Sequence, residues 1–206
     1  MTLDMSSPVF EWLGCQPYQP MWQRMQERAR AVADGRASEV IWACEHGPVY
    51  TTGKRGIDNR LGAKLPAPLI RTDRGGETTF HGPGQLMFYP VLHLRRRGFG
   101  VRDYVSLLEQ SCMNMLYEIK VVSVRKCGFP GIWVDSAKVA AIGIRVLHGV
   151  AYHGMALNLS VDQTWFAAIN PCGTGLLTVN LDTLISRLPA QQSLARKWHR
   201  HFCLLV

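Results

Sequence analysis

The residue best suited to nucleophilic chemistry is a cysteine in a turn bounded by proline and glycine. Cys172 lies in the segment Asn170-Pro-Cys-Gly-Thr-Gly175, where the proline restricts the chain and the glycines leave space around the sulfur. A nucleophilic thiol needs such a rigid but open setting. Cys127 lies in a second turn, after Arg125-Lys126, and the remaining cysteines fall in strand or helix patterns or in the apolar tail. A turn cysteine with no catalytic role is the alternative interpretation of Cys172.

A lysine at the start of an apolar strand pattern could act as a base. Lys138 lies in Asp135-Ser-Ala-Lys-Val-Ala-Ala-Ile-Gly-Ile-Arg145. An amine held in an apolar environment is a competent general base. Since lysines next to turns are mostly exposed, an inert surface lysine is the alternative.

A glycine-rich segment could bind a substrate through its backbone. Arg74-Gly-Gly-Glu-Thr-Thr-Phe-His-Gly-Pro-Gly-Gln85 carries four glycines, which allow the backbone to approach a ligand closely. Arg74 and His81 could hold a carbonyl or an anion. The segment lacks P-loop spacing, so it does not specifically indicate phosphate binding, and a pair of glycine-rich turns is the alternative. A dyad of Cys172 with His81 or His153 also stays open, whereas the histidine spacing does not favour a metal site.

Three helices and eight short strands must position these residues. Apolar residues at helical spacing predict helices over Tyr18–Val32, ended by Asp34-Gly35, and over Val101–Ile119. The basic stretch Ala195–His201, which contains Trp198, predicts a short terminal helix. Runs rich in β-branched and aromatic residues predict the strands. These runs are Val9–Leu13, Glu39–Glu45, Leu69–Thr72, Gln85–Leu94, Val121–Val124, Ile132–Val134, Val139–Val146 and Val150–Leu159.

The order of these elements predicts the fold class. Only Asp135-Ser-Ala137 and Leu147-His-Gly149 separate the last three strands, and such short connections favour antiparallel neighbours. Helices interrupt the strands only occasionally, so we expect an α+β fold with a mixed, mainly antiparallel sheet packed with helices. The length of 206 residues predicts a single domain over residues 1–206.

Composition and charge exclude several classes of protein. Hydrophobic residues make up 47% and charged residues 18% of the chain, which excludes a largely disordered protein. No apolar stretch is long enough to predict a membrane span, and the first residues lack the pattern of a secretory signal. We therefore expect a cytoplasmic protein. The net charge of +8 predicts an acidic partner. The densest basic run, Arg95-Arg-Arg97, lacks interleaved aromatic residues and so argues against specific nucleic-acid binding.

Four blocks of sequence, in order, resemble the octanoyltransferases of lipoate biosynthesis, the lipoyl(octanoyl) transferase family. The blocks are the segment 74–85, the segment around Lys138, His153-Gly-Met-Ala-Leu-Asn158 and Asn170-Pro-Cys-Gly173. The resemblance runs from Glu45-His46 to Leu184. It implies the fold shared with biotin and lipoate protein ligases, and transfer of an octanoyl group from acyl carrier protein through a cysteine thioester. The acceptors that it implies are lysines of lipoyl domains of 2-oxoacid dehydrogenases and of the glycine cleavage H protein.

The resemblance also implies roles for particular residues. Cys172 would be the thioester nucleophile, and Lys138 the residue that favours its thiolate. No cofactor, metal, nucleic acid or membrane is implied. The implied substrate-binding residues lie in three segments: Arg74, Gly75, Gly76, Glu77, Thr78, Thr79, Phe80 and His81; Ala141, Ile142 and Gly143; and Gly154, Met155 and Ala156.

Two positions depart from the family pattern, and two other kinds of protein remain alternatives. Phe80 stands where tyrosine is usual and Ala141 where serine is common, so each position lacks a hydroxyl. Ile142, Met155 and Leu157 are candidate walls for the eight-carbon tail. An ATP-dependent lipoate or biotin ligase would share the fold but would not use Cys172. A carrier-binding module without turnover would not need it either.

Overall fold

A seven-stranded sheet organises the chain in a computed structural model, which describes residues 7–56, 65–169 and 177–206. The strand order is β1-β2-β6-β10-β9-β8-β7, and a separate three-stranded sheet has the order β4-β3-β5. The strands are β1 Val9–Gln16, β2 Val40–His46, β3 Val49–Thr52, β4 Leu69–Arg71, β5 Thr78–His81, β6 Gln85–His93, β7 Val124–Lys126, β8 Phe129–Val134, β9 Ala137–Leu147 and β10 Val150–Asn158. The helices are α1 Tyr18–Ala33, α2 Val101–Glu118, α3 Thr164–Ala167 and α4 Gln191–Cys203, and a 3₁₀ turn spans Leu181–Thr183.

Helices cover both faces of the large sheet. On one face, α1 packs against the side chains of Met87 and Tyr89 of β6. On the other face, α2 and α4 pack against Leu86 and Phe88 of the same strand. Successive residues of a strand point to opposite faces, so a central strand that is covered on both faces is apolar along most of its length. This explains why β6 and β10 are buried almost throughout.

The strand pairings confirm a mixed, mainly antiparallel sheet. Strands β8, β9 and β10 form an antiparallel meander. Their tight turns place Asp135 and His148 in the left-handed region, with φ of 52° and 49°. The parallel pairs are β1 with β2, connected through α1, and β3 with β4. The three predicted helices are confirmed, with α4 extending beyond the predicted bounds at both ends.

The predicted strand over Val121–Val124 is wrong in its position. Lys120, with φ of 68°, ends α2 in a left-handed conformation, and the Val121 amide donates back to Leu116 O at 2.9 Å. These residues therefore belong to the helix terminus, and β7 begins only at Val124. The sequence analysis also did not predict β3, β5 or the short α3.

The basic run 95–97 has a structural role at two of its three positions. The guanidinium of Arg96 donates to the last carbonyls of α1, Val32 O and Ala33 O, both at 3.3 Å. Arg97 is buried and forms an ion pair with Glu39. A buried guanidinium paired with a carboxylate cannot also bind an external acidic partner. No helix among the described residues is both long and apolar enough to cross a membrane.

Candidate active site

One cavity brings together the residues that the sequence analysis singled out on β5, β9 and β10. It encloses about 810 Å³, including space open to solvent. Strands β6, β9 and β10 form its floor, and the loop before β5, the start of α1 and α3 contribute walls. Its described lining residues are Tyr18, Arg74, Gly76, Glu77, Thr78, Thr79, His81, Gln85, Met87, Tyr89, Lys138, Ala141, Ile142, Gly143, His153, Gly154, Met155, Ala156, Asn158, Phe166 and Thr178.

Lys138 places a buried ammonium group on this cavity. Only 8% of the residue is exposed, and its Nζ donates to Pro130 O at 3.3 Å. Nζ also lies 4.8 Å from the centre of the Trp133 ring, within the range of a cation–π interaction. The Lys138 backbone pairs with the chain on the far side of the undescribed residues 170–176. Its amide donates to Leu177 O at 2.8 Å, and its carbonyl accepts from Val179 N at 3.1 Å.

Arg74 is held against the small sheet by Thr51. Its Nη2 donates to Thr51 O at 2.7 Å and to Thr51 Oγ1 at 2.8 Å, and its Nη1 donates to Gly75 O at 2.9 Å. The loop reaches β9 through Gly75 N, which donates to Ile144 O at 2.9 Å. A Cβ at Gly143 would lie 3.2 Å from both Arg74 Cδ and Gly75 O. Gly143 thus leaves space for this loop against β9.

Asp73, which the sequence analysis did not single out, connects the loop to two other elements. Its carboxylate accepts hydrogen bonds from Trp22 Nε1 at 3.0 Å, from His153 Nε2 at 2.9 Å and from the Tyr152 hydroxyl. Burial raises the pKa of Asp73, but these hydrogen bonds outweigh burial and hold the pKa well below its usual value. Asp73 therefore carries a negative charge at neutral pH.

Three histidines around the cavity are neutral at neutral pH, mainly because burial disfavours their charged forms. Burial lowers the pKa of His46 to about 4 and also lowers the pKa values of His81 and His153. His46 contacts Gln16 O through Nδ1 at 2.7 Å and the Tyr89 hydroxyl through Nε2 at 2.8 Å. A backbone carbonyl only accepts, so Nδ1 carries the proton and Nε2 accepts from the tyrosine.

His81 joins a chain of hydrogen bonds along the cavity. Its Nδ1 contacts Gln85 Oε1 at 2.6 Å, and Gln85 Nε2 donates to Asn158 Oδ1 at 2.8 Å. The ring of Tyr18 stacks on the His81 ring at 5.7 Å. Burial raises the pKa of Tyr18 to about 12, so its hydroxyl stays protonated. These neutral groups orient one another without adding net charge to the cavity.

A match to a protein family identifies the fold and the family of the chain. Residues 17–203 match the family model described as the lipoyl protein ligase A/B catalytic domain. The chain belongs to this family. It is 47% identical over 167 residues to an octanoyltransferase of Thiobacillus denitrificans, covering 81% of this chain and 76% of that protein. It is 40% identical over 208 residues to an octanoyltransferase of Xylella fastidiosa, covering 96% and 88%.

Solved structures of ligases share the fold of this family member. P. falciparum LipL1 in complex with lipoate has a TM-score of 0.75 at 11% identity, and the match covers 96% of this chain but 62% of that one. Lipoate-protein ligase A bound with ATP has a TM-score of 0.73 at 13% identity, covering 97% and 85%. Biotin protein ligase from Aquifex aeolicus has a TM-score of 0.58 at 14% identity, covering 96% and 69%. The predicted fold, similar to biotin and lipoate protein ligases, is confirmed.

Most, but not all, of the predicted site residues line the cavity. Lys138 and every predicted binding residue except Gly75 and Phe80 line it. Phe80 is fully buried and stacks on Trp165 with ring centroids 4.8 Å apart. Leu157, a candidate wall for the acyl tail, lies in the core between the sheet and α2 instead. Cys172 lies outside the described residues, so its pairing with Lys138 stays a prediction, as does the alternative dyad with a histidine.

Sequence reasoning missed several residues of the cavity wall. Gln85, Met87 and Tyr89 alternate along β6 and point to one face. Their period of two was a usable signal, because every second residue of a strand shares a face. Tyr18 carried no comparable signal. It looked like one more apolar residue of the α1 stripe, and only its packing against His81 places it at the site.

Proposed function

We propose that this chain transfers an octanoyl group from acyl carrier protein through a Cys172 thioester to a lysine of a lipoyl domain, in lipoate biosynthesis. It is an acyltransferase, as its octanoyltransferase relatives at 40–47% identity indicate. The observation that carries the proposal is the single cavity lined by Lys138 and by residues of all three predicted binding segments.

In the first half-reaction, the Cys172 thiolate attacks the carbonyl carbon of the octanoyl thioester. A new C–S bond forms, the bond to the carrier's sulfur breaks, and the carrier leaves as a thiol after taking a proton from the Lys138 ammonium, which becomes the neutral amine. The ammonium of Lys138 favours the thiolate, since a nearby cation lowers the pKa of a thiol. Leu177, five positions after Cys172 in the sequence, pairs with Lys138, which supports this assignment.

In the second half-reaction, the amine of the incoming lysine attacks the octanoyl-Cys172 thioester. An amide bond forms, and Cys172 leaves as a thiolate. Lys138 in its neutral form accepts the proton of the attacking amine, so one residue is charge partner first and general base second. Exchange between thioesters is nearly isoenergetic and amide formation is downhill, so we propose that neither ATP nor another cofactor takes part.

The octanoyl tail lies over a floor of small residues. In the register of the sheet, Ala156 faces Ala141 and Gly154 faces Gly143, so two neighbouring strands present four small residues together. Ile142, Met155 and Met87 add apolar walls. A slot of this kind suits an unbranched acyl chain, because the chain loses contact with water without meeting a branched side chain.

The partners follow from the proposed reaction and from the net charge. We propose octanoyl-acyl carrier protein as donor and lipoyl domains of 2-oxoacid dehydrogenases and of glycine cleavage H protein as acceptors, in the cytoplasm. A net charge of +8 attracts acidic domains of this kind and makes association weaker at high salt. An ATP-dependent ligase is the second candidate, because lipoate-protein ligase A shares the fold.

The test is the intact mass of the protein after incubation with octanoyl-acyl carrier protein in the absence of ATP. We expect an added octanoyl group, removed by a lipoyl domain, as a ping-pong mechanism requires. Cys172→Ala should abolish the adduct. Cys127→Ala is the matched control, since Cys127 is an exposed cysteine in another turn, and it should leave the adduct intact.

Each half of the proposal has its own contrary result. An adduct that persists in Cys172→Ala would refute the nucleophile, and strict dependence on ATP would favour the ligase. Lys138→Ala should slow the reaction of Cys172 with iodoacetamide at neutral pH. An unchanged alkylation rate would contradict the role of Lys138 as charge partner.

A further inference from the structure

One peptide group connects a buried carboxylate to the ammonium of Lys138. The carbonyl of Pro130 accepts from Lys138 Nζ at 3.3 Å. The N–H of the same Pro130–Gly131 peptide donates to Glu109 Oε1 at 3.0 Å. The order of groups is therefore carboxylate, peptide N–H, peptide C=O and ammonium, with each hydrogen bond pointing toward the carboxylate.

Gly131 allows this peptide to lie against Lys138. Its φ of 129° is in the region that favours glycine. A Cβ at this position would lie 2.5 Å from Ala140 O and 3.4 Å from Lys138 Cδ and Cε. The aliphatic part of the lysine thus passes directly over the glycine, and its amino group reaches the preceding carbonyl.

Glu109 is an exception on the buried face of α2. Apart from Ser111, the other buried residues of this helix are mainly apolar, and yet only 7% of Glu109 is exposed. A carboxylate in such a position is costly unless it is paired and hydrogen-bonded. Arg125 Nε pairs with Glu109 Oε2 at 3.1 Å from the more exposed side, which leaves Oε1 directed at Gly131.

We propose that Glu109 is a positioning residue for Lys138, acting through the Pro130–Gly131 peptide. This inference rests on the proposed role of Lys138 in acyl transfer. The Glu109 carboxylate, which accepts from the Gly131 N–H, stabilises this orientation of the peptide plane. It also polarises the Pro130 carbonyl, which accepts from the ammonium. Glu109 itself touches neither the substrate nor the thiol.

The test compares two substitutions at position 109 in steady-state octanoyl transfer. Glu109→Ala removes the acceptor, and we expect kcat to fall by roughly tenfold to a hundredfold with little change in KM, because a catalytic group moves while the binding surface stays. Glu109→Gln keeps an oxygen for the Gly131 amide and should recover most of the rate. Glu118→Ala is the matched control, because it removes another carboxylate of α2 that pairs with Lys197 and Arg200 of α4 instead, and its kcat should stay within about twofold of the original.

A direct structural readout accompanies the kinetics. Hydrogen exchange of the Gly131 amide should accelerate in Glu109→Ala and stay slow in Glu109→Gln, since only the glutamine offers an acceptor. An unchanged exchange rate in Glu109→Ala overturns the proposed contact. The inference is also overturned if Glu109→Ala and Glu109→Gln both raise KM and both lose folded protein, because that pattern indicates a general packing role.

A double-mutant cycle with Lys138 separates failure of this inference from failure of the proposed function. If Glu109 acts through Lys138, Glu109→Ala should not slow the residual single-turnover rate of Lys138→Ala any further. An equal loss in both backgrounds overturns the inference alone. Full activity of Lys138→Ala instead refutes the proposed role of Lys138, and the inference falls with it.

Discussion

At the residue scale, Asp73 joins three elements through one carboxylate. Trp22 of α1 and Tyr152 and His153 of β10 all donate to it, and the loop that carries Arg74 follows it directly. His153 has a φ of 58°, an uncommon backbone conformation for a histidine, and it immediately precedes Gly154. The carboxylate therefore stabilises both the loop and the left-handed backbone of β10 at His153.

Replacing Asp73 should disturb binding more than chemistry. Asp73→Asn places an N–H₂ group or a single oxygen among three donors, and hydrogen bonds to a charged group contribute about 1.5–3 kcal/mol each. We expect a loss of about 2 kcal/mol in the free energy of unfolding, measured by urea denaturation, and a raised KM for octanoyl-acyl carrier protein. Tyr152→Phe, which removes one donor, should have a smaller effect. Equal effects of the two variants would contradict this account.

At the element scale, close packing of the central strands depends on glycines as much as on apolar side chains. Gly154 of β10 lies so close to β6 that an added Cβ would overlap Phe88 O and lie 2.9 Å from Pro90 Cδ. Gly143 opposite it on β9 leaves space for Arg74. Two neighbouring strands that line the cavity therefore lack side chains at the same level.

Adding one methyl group at Gly154 should separate β6 from β10. We expect Gly154→Ala to destabilise the protein by about 1–3 kcal/mol in urea and to lower octanoyl transfer, because overpacked cores respond with backbone shifts. Gly47→Ala is the control, since a Cβ there meets nothing within 4 Å. Stability of Gly154→Ala equal to that of Gly47→Ala would show that the strands can accommodate the methyl group.

At the scale of the whole molecule, three buried histidines make stability depend on pH. The pKa of His46 is about 4 in the folded protein against 6.5 for an ordinary histidine, and the pKa values of His81 and His153 are also lowered. As the pH falls below about 6.5, the unfolded chain binds protons that the folded chain does not. The contribution of these histidines to the free energy of unfolding is therefore fully present above about pH 6.5 and decreases as the pH falls toward 4.

Between pH 6.5 and pH 4, the loss in the free energy of unfolding that His46 alone causes should reach about 3 kcal/mol. We expect the thermal unfolding midpoint to fall steadily from pH 7 to pH 4.5, and His46→Gln should make this dependence shallower. His148→Asn is the control, because His148 is exposed. A midpoint that does not change over this range would show that the histidines already carry protons in the folded state.

The periodic patterns in the sequence were sufficient to predict the helices and strands that are amphipathic on their own. The helices α1 and α2 and most strands of the large sheet follow from spacing, and the short turns around Asp135 and His148 predicted the antiparallel meander. Strand β5 was missed because it lies within a glycine-rich stretch, and β3 because its four residues follow β2 after only Gly47 and Pro48. The family and its fold followed from the four blocks in order, and the family model confirms them.

The sequence by itself determined the family, the fold class and the type of chemistry, because these depend on residue types and on spacing along the chain. Tertiary structure alone decided that Asp73 contacts His153 and that Glu109 contacts Gly131. It also decided that Tyr18 is part of the cavity wall and that Phe80 belongs to the core. The physical reason is distance along the chain. Asp73 and His153, or Glu109 and Gly131, meet only after the sheet and its helices have packed, and no local pattern of residues records such a contact.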